Sequence, residues 1–120
     1  MNPIKLKIDF DIAQKELPIE WPSFFNMGSC FAENQSSRLT ELGFSLYSNP
    51  FGIIYNPVSI KKILCRIVDD DKYTSHDFKS VNGYFSLEHH GSFKYEILDA
   101  AINESNSILT KTKERLKQTD

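Results

Sequence analysis

Two side chains that can act as nucleophiles, Ser29 and Cys30, stand where an apolar run stops at Gly28. The residues that follow are typical of a helix. A Ser or Cys at a strand-to-helix turn is lifted clear of the sheet edge, and the unpaired amides of the first helical turn offer positive charge and oxyanion donors. Because the same field favours a thiolate, the sequence predicts a reactive Cys30 and acyl-transfer chemistry.

Two strands and one helix are predicted to position this turn. A short strand over residues 24–27 precedes a helix over residues 31–42, and Gly43 ends that helix in the left-handed region. Residues 44–47 then form a second, parallel strand, which completes a β-α-β unit. Ligands bind beyond the carboxyl ends of strands in open α/β sheets, so the site is expected at that edge. The helix residues expected to face inward are Phe31, Leu39 and Leu42.

A loop rich in turn residues, Asn49 to Tyr55, follows the second predicted strand. It leaves the sheet at the same edge as Cys30. Gly52 allows the backbone to approach a ligand closely, so its N–H is a candidate second oxyanion donor, and the Asn49 side chain is another. An ordinary turn before a helix explains these residues equally well.

The only clustered histidines, His89 and His90, lie in a stretch over residues 72–93 that is predicted to be a long loop. A histidine within reach of Cys30 would serve as a general base in a Cys-His pair. Adjacent side chains point apart, so at most one of the two can face the site. Surface or loop-packing histidines are the more frequent outcome.

Two further helices are predicted after the loop. Asn56 and Pro57 are an N-cap and first residue, and a long amphipathic helix begins near Glu96. Cys65 is interpreted as a structural or incidental thiol. The acidic run 69–71 is interpreted as a solvated turn, because three consecutive carboxylates lack the spacing of a calcium loop. The expected inward residues are Ile60, Ile63, Leu64 and Ile67 in the first helix, and Leu98, Ala101 or Ile102, Ser105, Leu109, Thr112 and Leu116 in the second.

The N-terminal residues alternate between apolar and charged side chains from Ile4 to Ile12. This period of two predicts an extended segment with one buried face. Pro18 and Pro22 then interrupt the chain on either side of Trp21. Residues 1–22 are therefore expected to form an arm or edge strand that Trp21 anchors to the main body.

Two motifs carry a family resemblance. Residues 28–32 read Gly-Ser-Cys-Phe-Ala, the signature of the GSCFA family, and residues 49–57 resemble its second recurrent segment. That family is similar to the SGNH/GDSL hydrolases, whose first block places the nucleophile after Gly-Asp. Aligning Gly-Ser-Cys with Gly-Asp-Ser puts Cys30 at the nucleophile position and Ser29 one residue out of register. The resemblance implies a three-layer, flavodoxin-like α/β/α fold with parallel strands and hydrolysis of ester bonds.

The resemblance covers only the first part of a family domain. Later SGNH blocks, a Gly-x-Asn-Asp-like oxyanion element and an Asp-x-x-His that supplies the base, are not found in these 120 residues. Residues 1–120 are therefore expected to be the N-terminal portion of a truncated GSCFA domain, weakly active or inactive by itself. The alternative is a noncatalytic binding or interaction module, in which the motif shapes a ligand-binding turn or an interface.

The composition and net charge limit the classes of partner that the protein is expected to bind. The chain has 120 residues, 40% of them hydrophobic and 25% charged, which is typical of one globular domain. A net charge of −2 without a dense basic stripe gives no reason to expect nucleic acid or anionic lipid. No signal or membrane-spanning segment is recognisable, and two free thiols suit a reducing compartment, so a cytoplasmic location is expected. We expect a small-molecule, acylated or carbohydrate ester as substrate, no cofactor or metal, and self-association through an exposed sheet edge.

Overall fold

The computed structural model describes residues 22–119 of the chain. The arm predicted over residues 1–22, with its anchor Trp21, lies outside the described residues except for Pro22. The described part mixes helices and strands. In chain order the elements are β1 (Ser23–Asn26), α1 (Cys30–Glu41), β2 (Ser45–Ser48), α2 (Pro57–Asp69), a 3₁₀ turn (Ser75–Asp77), β3 (Lys79–Ser80), β4 (Tyr84–Phe85), β5 (Lys94–Tyr95) and α3 (Leu98–Leu116).

The β1-α1-β2 unit confirms the predicted parallel pairing. Ser23 lies opposite Ser45, and the register continues to Asn26 opposite Ser48. Gly43, at φ 90°, ends α1 as predicted: its N–H donates to the carbonyl of Thr40, and that of Phe44 donates to the carbonyl of Leu39. This is the Schellman pattern, which turns the chain sharply from helix to strand.

The face that α1 presents to the sheet is polar, so the predicted apolar face is wrong. Phe31 is 69% exposed and Leu42 is 66% exposed, while Leu39 is half-buried. The buried residue of α1 is Ser36. Its Oγ donates to the carbonyl of Ala32 and lies 2.9 Å from Oγ of Ser48. The helix therefore meets the strands through hydroxyl groups, because the strand end beneath it is also polar.

The apolar core lies between α2, α3 and the loops that join them. Asn56 caps α2 and Pro57 is its first residue, as predicted. Ile63 and Ile67 are buried as predicted. Leu64 is 40% exposed, so the prediction that it faces inward is wrong. Cys65 is also exposed, although cysteine is usually buried. The core cluster consists of Phe51, Ile54, Ile63, Ile67, Tyr73 and Leu109.

The helix α3 confirms its predicted face, with Ala101, Ser105, Leu109 and Thr112 buried. It packs against α2 and against β4 and β5. The Oγ1 of Thr112 also lies 3.4 Å from the Tyr47 hydroxyl of β2. The helix thus links the core to the parallel strands. Within residues 22–119, no helix combines the length and the apolarity needed to cross a bilayer.

Residues 72–93 are not the featureless loop that the sequence predicts. They contain the 3₁₀ turn and strands β3 and β4, and β5 completes an antiparallel sheet in the order β3-β4-β5. Lys79 lies opposite Phe85, and Phe85 lies opposite Lys94. Each strand has only two residues, so no alternation of apolar and polar residues could reveal it.

Candidate active site

The thiol of Cys30 is exposed at the first residue of α1. Ser29 is the N-cap: its backbone is extended, and its hydroxyl accepts a hydrogen bond from the N–H of Phe31 at 3.3 Å. The N–H of Cys30 itself has no acceptor within the helix, because the first amides of any helix lack one. The sulfur therefore lies next to a backbone donor and the positive end of a 12-residue helix.

Asn49 fastens the loop after β2 to the motif. Its backbone adopts a left-handed conformation, at φ 42°, and its N–H donates to the carbonyl of Asn26 at 2.8 Å. Its side-chain oxygen accepts from the N–H of Gly28 at 2.8 Å, and its Nδ2 donates to Glu33 at 2.6 Å. Asn49 thus holds the Gly28 turn in place. One hydrogen of Nδ2 is engaged by Glu33, so only the other could serve in the predicted role of Asn49 as an oxyanion donor.

Gly52 has a steric role in the structure. Its N–H donates to the carbonyl of Asn49 at 2.9 Å, so a role as oxyanion donor would require this turn to open. Its φ is 80°, and a Cβ at this position would overlap the Cβ of His90. Glycine is therefore needed for the close approach of the loop to the 89–93 segment.

The same loop places Tyr55 beside Cys30. The N–H of Ile54 donates to the carbonyl of Gly28 at 2.9 Å, so the backbone next to Tyr55 is tied to the motif. The ring of Tyr55 is 70% exposed. A hydrogen bond to the Cys30 side chain raises the pKa of Tyr55, and the charge of a Cys30 thiolate acts in the same direction. Tyr55 therefore holds its phenolic hydrogen more tightly than an ordinary tyrosine.

The two adjacent histidines occupy different environments. His89 is buried, with its ring centroid 5.0 Å from those of Phe51 and Tyr73, and it stacks on Phe93 at 5.6 Å. Burial, together with nearby Arg66, lowers the pKa of His89 to about 4, and its Nε2 has no hydrogen-bond partner among the described residues.

His90 is exposed. Its Nδ1 lies 2.8 Å from the Ser92 hydroxyl, and its N–H donates to the carbonyl of Phe51 at 3.0 Å. Neither histidine has a hydrogen bond to Cys30 in the described part of the chain. The structure therefore uses His89 as a core residue and His90 as a loop residue, which is the alternative that the sequence also allowed.

A charged cluster around Arg66 supports the segment that carries these histidines. The guanidinium binds Asp77, and its Nε donates to Glu88 at 2.9 Å; its centre lies 4.4 Å from the ring centroid of Tyr73. Burial opposes the charge of Arg66, but Glu88 and Asp77 outweigh it and raise its pKa. Burial and the Glu88 carboxylate likewise raise the pKa of Tyr73. The cluster fixes the 86–90 segment against α2.

An open cleft of about 480 Å³ runs between the start of α2 and the 87–91 segment. Tyr55 lines this cleft, and the bond from the N–H of Ile54 to the carbonyl of Gly28 ties the backbone next to Tyr55 to the motif. The other lining residues include apolar side chains, the cation Lys62 and the carboxylate Glu88. The arrangement can accept a small molecule that carries an apolar group and a polar group.

The structure brings together Ser29, Cys30 and Asn49 at the carboxyl end of β1 and β2. Gly52 follows in the same loop, whereas His89 and His90 belong to the core and to the neighbouring segment. Sequence reasoning missed Tyr55. Its position directly before the N-cap Asn56 is the signal that could have found it, because a residue just before a helix is held at a fixed place near that helix end.

The comparisons with known proteins support a family assignment. The model of the GSCFA family matches residues 23–120. This match begins at the first residue of β1 and includes the whole candidate site. No curated protein and no solved structure is significantly similar to the chain.

Proposed function

Because the chain belongs to the GSCFA family, we propose that it carries the nucleophile-bearing part of an SGNH-like, three-layer α/β/α ester hydrolase, with Cys30 as the nucleophile. One observation supports this most: an exposed thiol at the first residue of a helix that directly follows a parallel strand. Ser29 is the weaker candidate, since its hydroxyl caps α1. A small-molecule, acylated or carbohydrate ester fits the adjacent cleft.

The proposed chemistry proceeds through a thioester. The sulfur of Cys30 attacks the ester carbonyl carbon, and the carbonyl electron pair moves to the oxygen, which the amide of Cys30 stabilises. The bond from carbon to the leaving oxygen then breaks, and the alcohol departs with one proton. Water attacks the thioester, releases the carboxylic acid and restores the thiol. The net reaction consumes one ester and one water.

Trapping of the acyl group tests this proposal even when turnover is slow. The chain is mixed with a p-nitrophenyl ester, and intact mass with peptide mapping locates the adduct. We expect one acyl group on Cys30, formed faster than on Cys65, because only Cys30 stands at a helix N-terminus. The variant C30A should lose the adduct, whereas S29A should keep it.

The exposed Cys65 is a matched internal control, since both thiols are accessible in the same molecule. Acylation of both at equal rates would contradict the assignment of Cys30 as an activated nucleophile. An adduct that persists in C30A and disappears in S29A would instead identify Ser29. Either result would contradict a mechanism in which the Cys30 thiol is the activated nucleophile.

A noncatalytic binding module is the second candidate. Several amides of the motif are already engaged: that of Gly28 by Asn49, that of Phe31 by Ser29, and that of Gly52 by the carbonyl of Asn49. Engaged amides build a rigid turn and leave fewer donors for an oxyanion. This alternative predicts equal acylation of Cys30 and Cys65, so the trapping experiment also discriminates between the two functions.

A further inference from the structure

Asn49 is bonded to three parts of the candidate site at once. Its backbone N–H donates to the carbonyl of Asn26, at the end of β1, at 2.8 Å. Its side-chain oxygen accepts from the N–H of Gly28 at 2.8 Å, and its Nδ2 donates to Glu33, in the first turn of α1, at 2.6 Å. One residue of the loop after β2 therefore joins the strand, the turn and the helix that surround Cys30.

The backbone of Asn49 has a conformation that most residues avoid. Its φ is 42°, in the left-handed region, which costs a residue with a side chain roughly 1 kcal/mol or more. Asparagine tolerates this region better than most residues, because its short polar side chain can bond to nearby backbone. Here that side chain binds the N–H of Gly28, which is buried and needs a partner inside the protein. Backbone strain and three hydrogen bonds thus coincide at one residue beside the motif.

We propose that Asn49 is a positioning residue, which fixes the direction of the Cys30 amide toward the oxyanion through its bonds to Gly28 and Glu33. The proposal rests on the thioester mechanism proposed above and deepens it. The Cys30 amide lies in the chain between Gly28 and Glu33, so these bonds hold the turn on one side of it and the helix on the other. Gly28 is also held at its carbonyl, which accepts from Ile54 at 2.9 Å. Oxyanion donors are effective when they are oriented before the reaction, so a fixed turn is what Asn49 supplies.

Two reactions of the same sulfur separate this role from access to the thiol. A p-nitrophenyl ester acylates Cys30 through an oxyanion: the bond from sulfur to carbon forms, p-nitrophenolate leaves, and the proton of the thiol goes to water. Iodoacetamide alkylates Cys30 by direct displacement of iodide, and no oxyanion forms. The ratio of the acylation rate to the alkylation rate therefore reports the oxyanion donors, because the exposure and the ionisation state of the sulfur affect both rates.

The test measures both rates at Cys30 and at Cys65, by peptide mapping at one pH, in the chain and in N49G. Glycine adopts the left-handed conformation without strain, so N49G keeps the course of the loop and removes only the side-chain bonds. We expect the acylation-to-alkylation ratio of Cys30 to fall roughly 10- to 100-fold in N49G. The alkylation rate of Cys30 and both rates of Cys65 should stay close to those of the unmodified chain.

The matched control is N82G, which makes the same change at a second left-handed asparagine, at φ 52°, between β3 and β4. It should leave the ratio unchanged. A second variant, E33A, removes only the bond from Asn49 to the helix and changes an exposed side chain. It should lower the ratio about threefold, and it tests the proposal even if N49G does not fold.

The outcomes distinguish this proposal from the proposed function. An unchanged ratio in N49G and E33A, with Cys30 acylated faster than Cys65 in the unmodified chain, would overturn the positioning role alone. A ratio that falls in N49G but not in E33A would also overturn it, because E33A frees the Nδ2 of Asn49 and that result identifies Asn49 as an oxyanion donor itself. Equal acylation of Cys30 and Cys65 in the unmodified chain would reject the proposed function, and the positioning role with it.

Discussion

At the residue scale, Gly52 is the position where a single methyl group should be most damaging near the site. Its φ of 80° disfavours any L side chain, and an added Cβ would overlap His90 and lie 3.1 Å from the Phe93 ring. We expect G52A to lower the free energy of unfolding by about 2 to 3 kcal/mol, measured by urea denaturation. The control G43A has a similar φ, 90°, with no atom within 4 Å of the added Cβ, and should cost only about 1 kcal/mol. Equal losses would show that backbone strain, not the overlap, determines the effect.

At the scale of elements, the Arg66 cluster joins α2 to the segment that carries the histidines. Glu88 is 13% exposed and binds the Nε of Arg66, whereas Asp71 binds the same guanidinium but is 66% exposed. E88Q neutralises a half-buried partner and leaves Asp77 as the other shielded carboxylate of Arg66, so it should lower the free energy of unfolding by about 2 kcal/mol. Water screens the exposed ion pair between Arg66 and Asp71, so D71N should lower the free energy of unfolding by less than about 0.5 kcal/mol. Urea denaturation of both variants checks the contrast, and similar losses would contradict a dominant role for the buried pair.

At the scale of the whole molecule, His89 makes stability depend on pH. Its pKa in the folded chain is about 4, below the value of 6.5 for an unperturbed histidine, because burial and Arg66 disfavour the charged ring. As the pH falls below 6.5, His89 binds a proton in the unfolded chain but not in the folded chain. The free energy of unfolding therefore decreases until about pH 4, below which His89 is protonated in both states and its contribution no longer changes. The shift corresponds to a loss of roughly 3 kcal/mol. Measured unfolding free energies should therefore fall over this window in the chain and in H76Q, but not in H89F.

A second titratable group, the Asp77 carboxyl, acts at lower pH and is distinguishable from His89. Burial alone would raise the pKa of Asp77, but the backbone N–H of Thr74 and the Arg66 guanidinium outweigh it and lower the pKa. The stability that Asp77 contributes is present above its unfolded value of 3.8 and disappears as the pH falls through its folded value. A decrease that begins only below pH 4 in the chain would contradict the role given to His89.

Local patterns predicted the parallel unit and both later helices. Gly43 permits a left-handed conformation, Asn56 followed by Pro57 is a strong helix start, and the spacing from Ala101 to Thr112 matches one helical face. These signals lie within a few residues of the feature they specify. The antiparallel strands β3 to β5 were missed because two-residue strands carry no period and depend on pairing with distant partners.

By itself, the sequence determined the family, the parallel β-α-β unit and the position of Cys30 at a helix start, since each depends on neighbouring residues. Only the tertiary structure decided the surroundings of that thiol. It tied the loop before α2 to the carbonyl of Gly28, buried His89 in an aromatic cluster and used the Gly52 amide inside a turn. These outcomes depend on contacts between residues far apart in the chain, and a pattern of residue types does not specify which distant side chains will meet.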